Sequence, residues 1–159
     1  MVFDSILVVC VGNICRSPLG ERLLAAKLAE RGLDIAVTSA GIAALAGHDA
    51  DPDATAVATA RNVSLDGHVA RQFSHEIGSS HALILVMEAG HKREIVKNAP
   101  DLSGRIMLFD QWTGAVGIPD PYRRSTTFHE EVFAQVEKAA TAWVDKLEKS
   151  TQGKSKNAR

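Results

Sequence analysis

Residues 5–18 read Ser-Ile-Leu-Val-Val-Cys-Val-Gly-Asn-Ile-Cys-Arg-Ser-Pro, and this stretch indicates both the fold and the place of its chemistry. Residues 6–9 form a continuous apolar run rich in β-branched side chains, which is typical of a central parallel strand covered on both faces. The pair Gly12-Asn13 breaks the run. The pair Ser17-Pro18 then predicts a helix with the serine at its N-cap and the proline at its first position. The stretch therefore predicts a strand, a short loop and a helix in immediate succession.

The rest of the chain continues this alternation of strands and helices. Apolar runs predict three further strands, at residues 35–39, 82–86 and 105–109. Caps and apolar stripes predict three further helices, at residues 51–61, 88–98 and 126–149. Such alternation favours an α/β fold with a four-stranded parallel sheet and about five helices on its two faces. Ligands of such sheets bind at the carboxyl ends of the strands, so we expect the chemistry in the loop after the first strand.

Composition and charge limit the functions that the chain can have. With 159 residues, 45% of them hydrophobic, it suits a single domain, which we assign to residues 1–149; the polar, basic residues 150–159 are predicted to be a disordered tail. The 18 basic and 19 acidic residues give a formal net charge of −1, which argues against a nucleic-acid partner. No apolar run approaches the roughly 18 residues of a membrane span. Since the chain begins without a recognisable secretory signal, we expect a cytoplasmic protein without membrane insertion.

The loop after the first strand has the composition of an anion site that carries a nucleophile. The strand delivers Cys10 to the floor of the loop, and Gly12 allows a positive φ, so that successive amides can turn inward. The helix N-terminus and the forked guanidinium of Arg16 favour a tetrahedral anion such as phosphate. The same groups favour the thiolate form of Cys10, which is the reactive form of a cysteine. Ser17 is expected to donate its hydroxyl to the sulfur, which makes phosphocysteine a better leaving group.

Each of these residues also has a simpler interpretation. A cysteine at the end of an apolar strand is usually core packing, and an arginine six residues later often occurs by chance. The sequence lacks the Gly-Lys-Ser/Thr ending of a nucleotide-binding loop and the glycine pattern of a dinucleotide-binding loop. Cys10 and Cys15 have no further cysteine to join them, and the six histidines show no ligand spacing, so no metal site is predicted.

Four motifs together resemble the low molecular weight protein-tyrosine phosphatases, and the resemblance runs over nearly the whole chain. They are the loop at residues 10–18, Ser39-Ala40-Gly41, the segment His68-Val69-Ala70-Arg71-Gln72 and Asp120-Pro121-Tyr122. The resemblance implies the Rossmann-like or flavodoxin-like phosphatase fold. It also implies a hydrolase that acts on phosphotyrosine through a phosphocysteine intermediate, releases inorganic phosphate and needs no cofactor or metal.

The resemblance also implies the roles of the site residues. Cys10 is the nucleophile, Arg16 holds the phosphoryl oxygens and Asp120 is the general acid, although by itself Asp120 is more simply explained by an Asx turn. Ser39 and His68 are expected to support the loop. The residues expected to bind the substrate are Val11, Gly12, Asn13, Ile14, Cys15, Ser17 and Tyr122. The pair of cysteines is further expected to form a reversible disulfide under oxidation.

The details of the motifs favour one subtype. The run Asp-Pro-Tyr-Arg-Arg-Ser and the pair Met87-Glu88 resemble bacterial members that are encoded with exopolysaccharide or capsule export systems. The expected partner is therefore a bacterial tyrosine autokinase with a tyrosine-rich tail. Members that act on phosphoarginine tend to carry threonine where this chain has Ile14.

Two alternatives remain open at this stage. An arsenate reductase on the same fold needs further cysteines beyond Cys15, and the chain has none. A Cys-phosphorylated carrier or phosphate-binding module would give no role to Arg16 or Asp120.

Overall fold

The computed structural model describes residues 3–157, with side chains as far as residue 152. Its sheet has four strands, all parallel, in the order β2-β1-β3-β4. These strands are β1 (Ser5–Cys10), β2 (Ala36–Gly41), β3 (Leu83–Val86) and β4 (Ile106–Leu108). The parallel four-stranded sheet confirms the prediction. The chain leaves β1 for β2 on one side and returns to β3 on the other, so the end of β1 lies at a topological switch point.

Helices cover both faces of the sheet. They are α1 (Arg16–Glu30), α2 (Pro52–Ala60), α3 (His75–Ser79), α4 (Ala89–Asn98) and α5 (Thr126–Asn157), with a 3₁₀ helix at Pro100–Arg105. Because side chains alternate along a strand, Ile6 and Val8 pack in one core with α1, α2 and α5. Leu7 and Val9 pack in the other core, on the side of α4. Cys10 shares its face with Ile6 and Val8, so its side chain lies on the side of α1.

The first helix begins earlier than predicted. Cys15 occupies the N-cap without a side-chain cap bond, and Ser17 lies inside the first turn. The Ser17 hydroxyl does not cap the helix because it is bonded to Cys10 and Asn13 instead.

Two other elements also differ from the prediction. The five-residue helix α3, capped by Ser74, is too short to leave a periodic pattern in the sequence. The last helix continues to Asn157, well past its predicted end near residue 149. The segment after residue 149 contains no proline, so nothing in it forces a helix to stop. None of the helices in the described part of the chain is both long and apolar enough to cross a membrane.

Candidate active site

The loop from Cys10 to Arg16 turns back on itself at the carboxyl end of β1. The residue with a positive φ is Asn13, at 59°, whereas Gly12 does not adopt the left-handed conformation predicted for it. Asparagine tolerates this region when its side chain is held by local hydrogen bonds, and Asn13 is completely buried among such partners. The turn therefore depends on the amide of Asn13 and not on the freedom of a glycine.

A chain of hydrogen bonds connects the cysteine to the interior. The Asn13 Nδ2 group donates to Ser17 Oγ at 2.7 Å and to Ser39 Oγ at 3.0 Å. Ser39 in turn donates to Glu21 Oε1 at 2.8 Å. The Ser17 oxygen also lies 2.9 Å from Cys10 Sγ. When Cys10 is the thiolate, which has no hydrogen to donate, the Ser17 hydroxyl is the donor in this contact.

Further contacts hold Asn13 from the other side. The carbonyl oxygen of Asn13 accepts from His68 Nε2 at 2.6 Å, and its side-chain Oδ1 accepts from the Arg71 backbone N–H at 2.9 Å. The structure therefore brings Ser39 and His68, the two predicted supporting residues, to the loop. Sequence reasoning missed the part played by Glu21 and Arg71, although Arg71 lies within the quoted histidine motif.

The strand β2 approaches the loop closely at Gly41. A Cβ atom at this position would collide with the Val11 carbonyl oxygen and would come within 3.0 Å of the Asn13 nitrogen. After Gly41, three backbone N–H groups donate to carbonyls of the loop. These bonds run from Ile42 to Cys10 at 3.0 Å, from Ala43 to Val11 at 3.0 Å and from Leu45 to Gly12 at 3.1 Å.

The guanidinium of Arg16 is almost fully buried and is fixed on one side. Its Nη1 donates to Glu88 Oε2 and to the Ile118 carbonyl oxygen, both at 2.7 Å. This leaves Nη2 on the side of Asp120, whose Oδ2 is 3.9 Å away. Sequence reasoning did not assign this role to Glu88, because an ion pair between distant residues leaves no local signal.

His91 contacts the same oxygen of Glu88 as Arg16 does. Its Nδ1 accepts the Glu88 backbone N–H at 3.2 Å, so Nε2 carries the proton that faces Glu88 Oε2 at 3.3 Å. Burial lowers the pKa of His91 below its ordinary value of 6.5, and the positive charge of Arg16 lowers it further. His91 is therefore a neutral support for the carboxylate that orients Arg16.

Asp120 and Tyr122 reach the same place from a distant part of the chain. The Asp120 Oδ1 atom accepts the Tyr122 backbone N–H at 3.0 Å, which forms the Asx turn given above as the simpler interpretation of this residue. The same turn leaves Oδ2 on the side of Arg16. One carboxylate thus takes part in the turn and also faces the cysteine loop.

A cavity of about 200 Å³ lies above the cysteine. Its lining consists of Cys10, Val11, Gly12, Ile14, Cys15, Arg16, Ala43, Leu45, Asp120 and Tyr122. Asn13 and Ser17 are fully buried and do not line it, so their side chains support the loop from behind. Small and apolar side chains on the walls and a thiol and guanidinium at the base suit an aromatic phosphate ester.

The second cysteine is a buried neutral thiol. Burial raises the pKa of Cys15, and the nearby charges of Asp51, Cys10 and Asp120 raise it further. Asp51 also donates its backbone N–H to the Ile14 carbonyl oxygen at 2.8 Å, which links the start of α2 to the loop.

Known proteins resemble this chain along almost its whole length. The family model for low molecular weight phosphotyrosine protein phosphatases matches residues 5–153. The Escherichia coli K12 low molecular weight protein-tyrosine-phosphatase Etp is 45% identical over 145 residues, which is 91% of this chain and 95% of that protein.

Solved structures show the same similarity. The crystal structure of the tyrosine phosphatase Wzb from Escherichia coli K30 in complex with sulphate superimposes with a TM-score of 0.88 at 42% identity, covering 92% of this chain and 99% of that one. The Vibrio vulnificus Wzb in complex with benzylphosphonate gives a TM-score of 0.87 at 44% identity, covering 91% and 99%. With a matching family model, close relatives and a shared fold, the chain belongs to the low molecular weight phosphotyrosine protein phosphatase family.

Proposed function

We propose that the protein hydrolyses phosphotyrosine in proteins through a phosphocysteine intermediate. The observation that carries this proposal is that Cys10 and Arg16, from the loop after β1, line one cavity with Asp120, which comes from a distant part of the chain. A nucleophile, an anion clamp and a proton donor are the three groups that this reaction needs.

In the first step, the Cys10 thiolate attacks phosphorus while the bond from phosphorus to the phenol oxygen breaks. The loop amides and the free edge of Arg16 bind the three equatorial oxygens, whose charge is spread in the transition state. Asp120 is protonated at the start of this step and donates its proton to the departing phenol oxygen. The products of this step are free tyrosine hydroxyl, phosphocysteine and an ionised Asp120.

In the second step, water attacks the phosphocysteine. Asp120 now accepts a proton from this water, and the phosphorus–sulfur bond breaks to return the Cys10 thiolate. The Ser17 hydroxyl, 2.9 Å from the sulfur, stabilises the charge that develops on the leaving group. Inorganic phosphate then leaves and the site is restored. Arg16 and the loop amides supply the positive field for both steps, so the reaction needs no cofactor.

The substrate class follows from the cavity walls. Ile14, Leu45 and Tyr122 line the cavity with apolar or aromatic side chains, which favour the ring of phosphotyrosine over a short aliphatic phosphate. The reduced thiol that the mechanism needs favours the cytoplasm as its compartment.

The partner that we infer is a bacterial tyrosine autokinase of polysaccharide export. Similarity to Wzb and Etp supports a phosphotyrosine protein as the substrate. Arg123 lies at 5.1 Å over the ring of Tyr122, which lines the cavity, and the following residue, Arg124, lies at 4.4 Å over the Phe128 ring. Two cations beside the cavity mouth would attract a tail that carries several phosphotyrosines.

Turnover of p-nitrophenyl phosphate in the presence of a chelator tests the activity. The wild-type chain should release phosphate, and rapid acid quenching should trap phosphocysteine at Cys10. Cys10→Ser and Arg16→Ala should both abolish turnover while retaining the fold, which circular dichroism checks. Loss of a nucleophile costs several orders of magnitude, so a Cys10→Ser variant that keeps more than about a tenth of the activity would overturn the proposal. An arsenate reductase or a phosphate carrier would give no sustained turnover.

Peptides with one or several phosphotyrosines test the partner. Arg123→Ala and Arg124→Ala should each raise KM for a multiply phosphorylated peptide more than for a singly phosphorylated one. Lys97→Ala is the matched control, because Lys97 is an exposed cation in the last turn of α4. Equal changes in KM for the two peptides would contradict a role of these arginines in recognising the tail.

A further inference from the structure

A second group of chemically active side chains lies at the junction of α2 and α5, outside the cavity. Asp51 and Asp53 belong to the start of α2, and His129 belongs to the first turn of α5. One donor atom from each residue lies within 4.8 Å of the other two. This group was not predictable from the sequence, because His129 is far from the two aspartates along the chain.

The histidine of this group has no partner for one ring nitrogen. His129 is only 3% exposed, and its Nε2 atom is buried without a hydrogen bond to any residue that the structure describes. An unpaired buried polar atom is unfavourable and calls for an explanation, such as an ion or an ordered water. The two aspartates supply the charge that favours a cation at this point.

The donor atoms of the three residues lie near one another without direct contact. Within the described chain, neither aspartate forms an ion pair with His129, which would need a nitrogen–oxygen distance of 4.0 Å or less. The donor atoms of the three residues nevertheless lie within 4.8 Å of one another. A tetrahedral ion with bonds of ~2.0–2.2 Å would draw its ligands to roughly 3.3–3.6 Å from one another. Binding would therefore draw Asp51 and His129 closer together, and the exposed side chain of Asp53 can rotate to complete the site.

We propose that Asp51, Asp53 and His129 bind a divalent cation of the zinc class. An imidazole nitrogen beside two carboxylate oxygens suits Zn²⁺ and its neighbours in the first transition row, whereas Mg²⁺ and Ca²⁺ prefer oxygen ligands alone. Asp51 uses Oδ2 to accept the Asp53 and Ala54 backbone N–H groups and so has Oδ1 for the ion. Three protein ligands leave room for water as the fourth.

The ion would connect two helices to the phosphate loop. It would join the start of α2 to α5, and Asp51 already donates its backbone N–H to the Ile14 carbonyl oxygen. Since a ligand that binds only the folded state stabilises it, Zn²⁺ should raise the melting temperature. The role is structural and stands apart from the proposed phosphatase chemistry.

A Zn²⁺ titration followed by thermal unfolding tests the site. The parent is Cys10→Ser, which removes the active-site thiolate as a competing ligand. Micromolar Zn²⁺ should raise the melting temperature of this parent by several degrees, and Asp53→Asn and His129→Gln should each weaken the affinity at least tenfold. Glu130→Gln is the matched control, because Glu130 is an exposed carboxylate next to His129, and it should bind Zn²⁺ like the parent.

Cobalt absorption provides a readout that does not depend on stability. Co²⁺ at the proposed site should give d–d bands without a thiolate charge-transfer band, and Asp53→Asn should remove them. A thiolate band would place the ion on Cys15 and overturn the proposal, as would unchanged affinity in Asp53→Asn. Because Asp53 is exposed, this variant decides the question even if His129→Gln fails to fold.

Discussion

The Ser17 oxygen and the Cys10 sulfur lie 2.9 Å apart, and the serine hydroxyl donates to the sulfur when Cys10 is the thiolate, which has no hydrogen of its own. Hydrogen bonds to charged groups contribute about 1.5–3 kcal/mol, which corresponds to roughly 10- to 150-fold in rate. We therefore expect Ser17→Ala to lower kcat by one to two orders of magnitude. Single-turnover kinetics measure the effect, and an unchanged rate of phosphocysteine breakdown would contradict the role of Ser17 in that step.

Asp120→Asn should lower activity most on esters with poor leaving groups. An asparagine cannot give a proton to the leaving oxygen, and general acid catalysis is typically worth ~10²–10⁴-fold. The loss should approach this range on phosphotyrosine and should be much smaller on a highly activated aryl phosphate. Asp66→Asn, an exposed aspartate on another loop, serves as the control. Equal losses of kcat/KM on both esters would show that Asp120 is not the acid.

The buried His91 should make the stability of the fold depend on pH. Its pKa lies below 6.5 in the fold because of burial first and Arg16 second, so the unfolded chain binds more protons between the two pKa values. Stability should therefore fall as the pH drops through 6.5 toward the lower, folded pKa. Urea unfolding at about pH 7.5 and about pH 5.5 measures the loss, which should be smaller in His91→Asn. His48→Asn, at an exposed histidine, should lose as much as the wild type.

Oxidation should link the two loop cysteines, but slowly at neutral pH. Peroxide converts Cys10 to a sulfenic acid, which the Cys15 thiolate can resolve as a disulfide with loss of water. Burial raises the pKa of Cys15, so the fraction of attacking thiolate is small and should grow with pH. Activity recovered by dithiothreitol after peroxide should therefore increase with the pH of the oxidation. Cys15→Ser should abolish this increase, and equal recovery at every pH in both proteins would contradict it.

The sequence was sufficient where the signal was local. The apolar runs along β1 and β3 require cover on both faces, and the fourteen letters of residues 5–18 already contain the nucleophile and the clamp. The contacts of Glu88 with Arg16 and His91 were not predictable, because they depend on how β3 lies beside β1. The positive φ at Asn13 depends likewise on partners that the fold supplies from distant segments, including Ser39 and Arg71.

The attachment of residues 42–45 to the loop has a consequence for protein engineering. Backbone bonds alone make this attachment, so the side chains of Ala43 and Leu45 can be exchanged without disturbing the anion cradle. Gly41 permits no such exchange, since any side chain there would push the two segments apart. A library for new leaving groups should therefore diversify positions 43 and 45 and leave 41 fixed. The loop that binds phosphate must therefore stay constant, whereas the side chains at positions 43 and 45 can be changed to select the group attached to the phosphate.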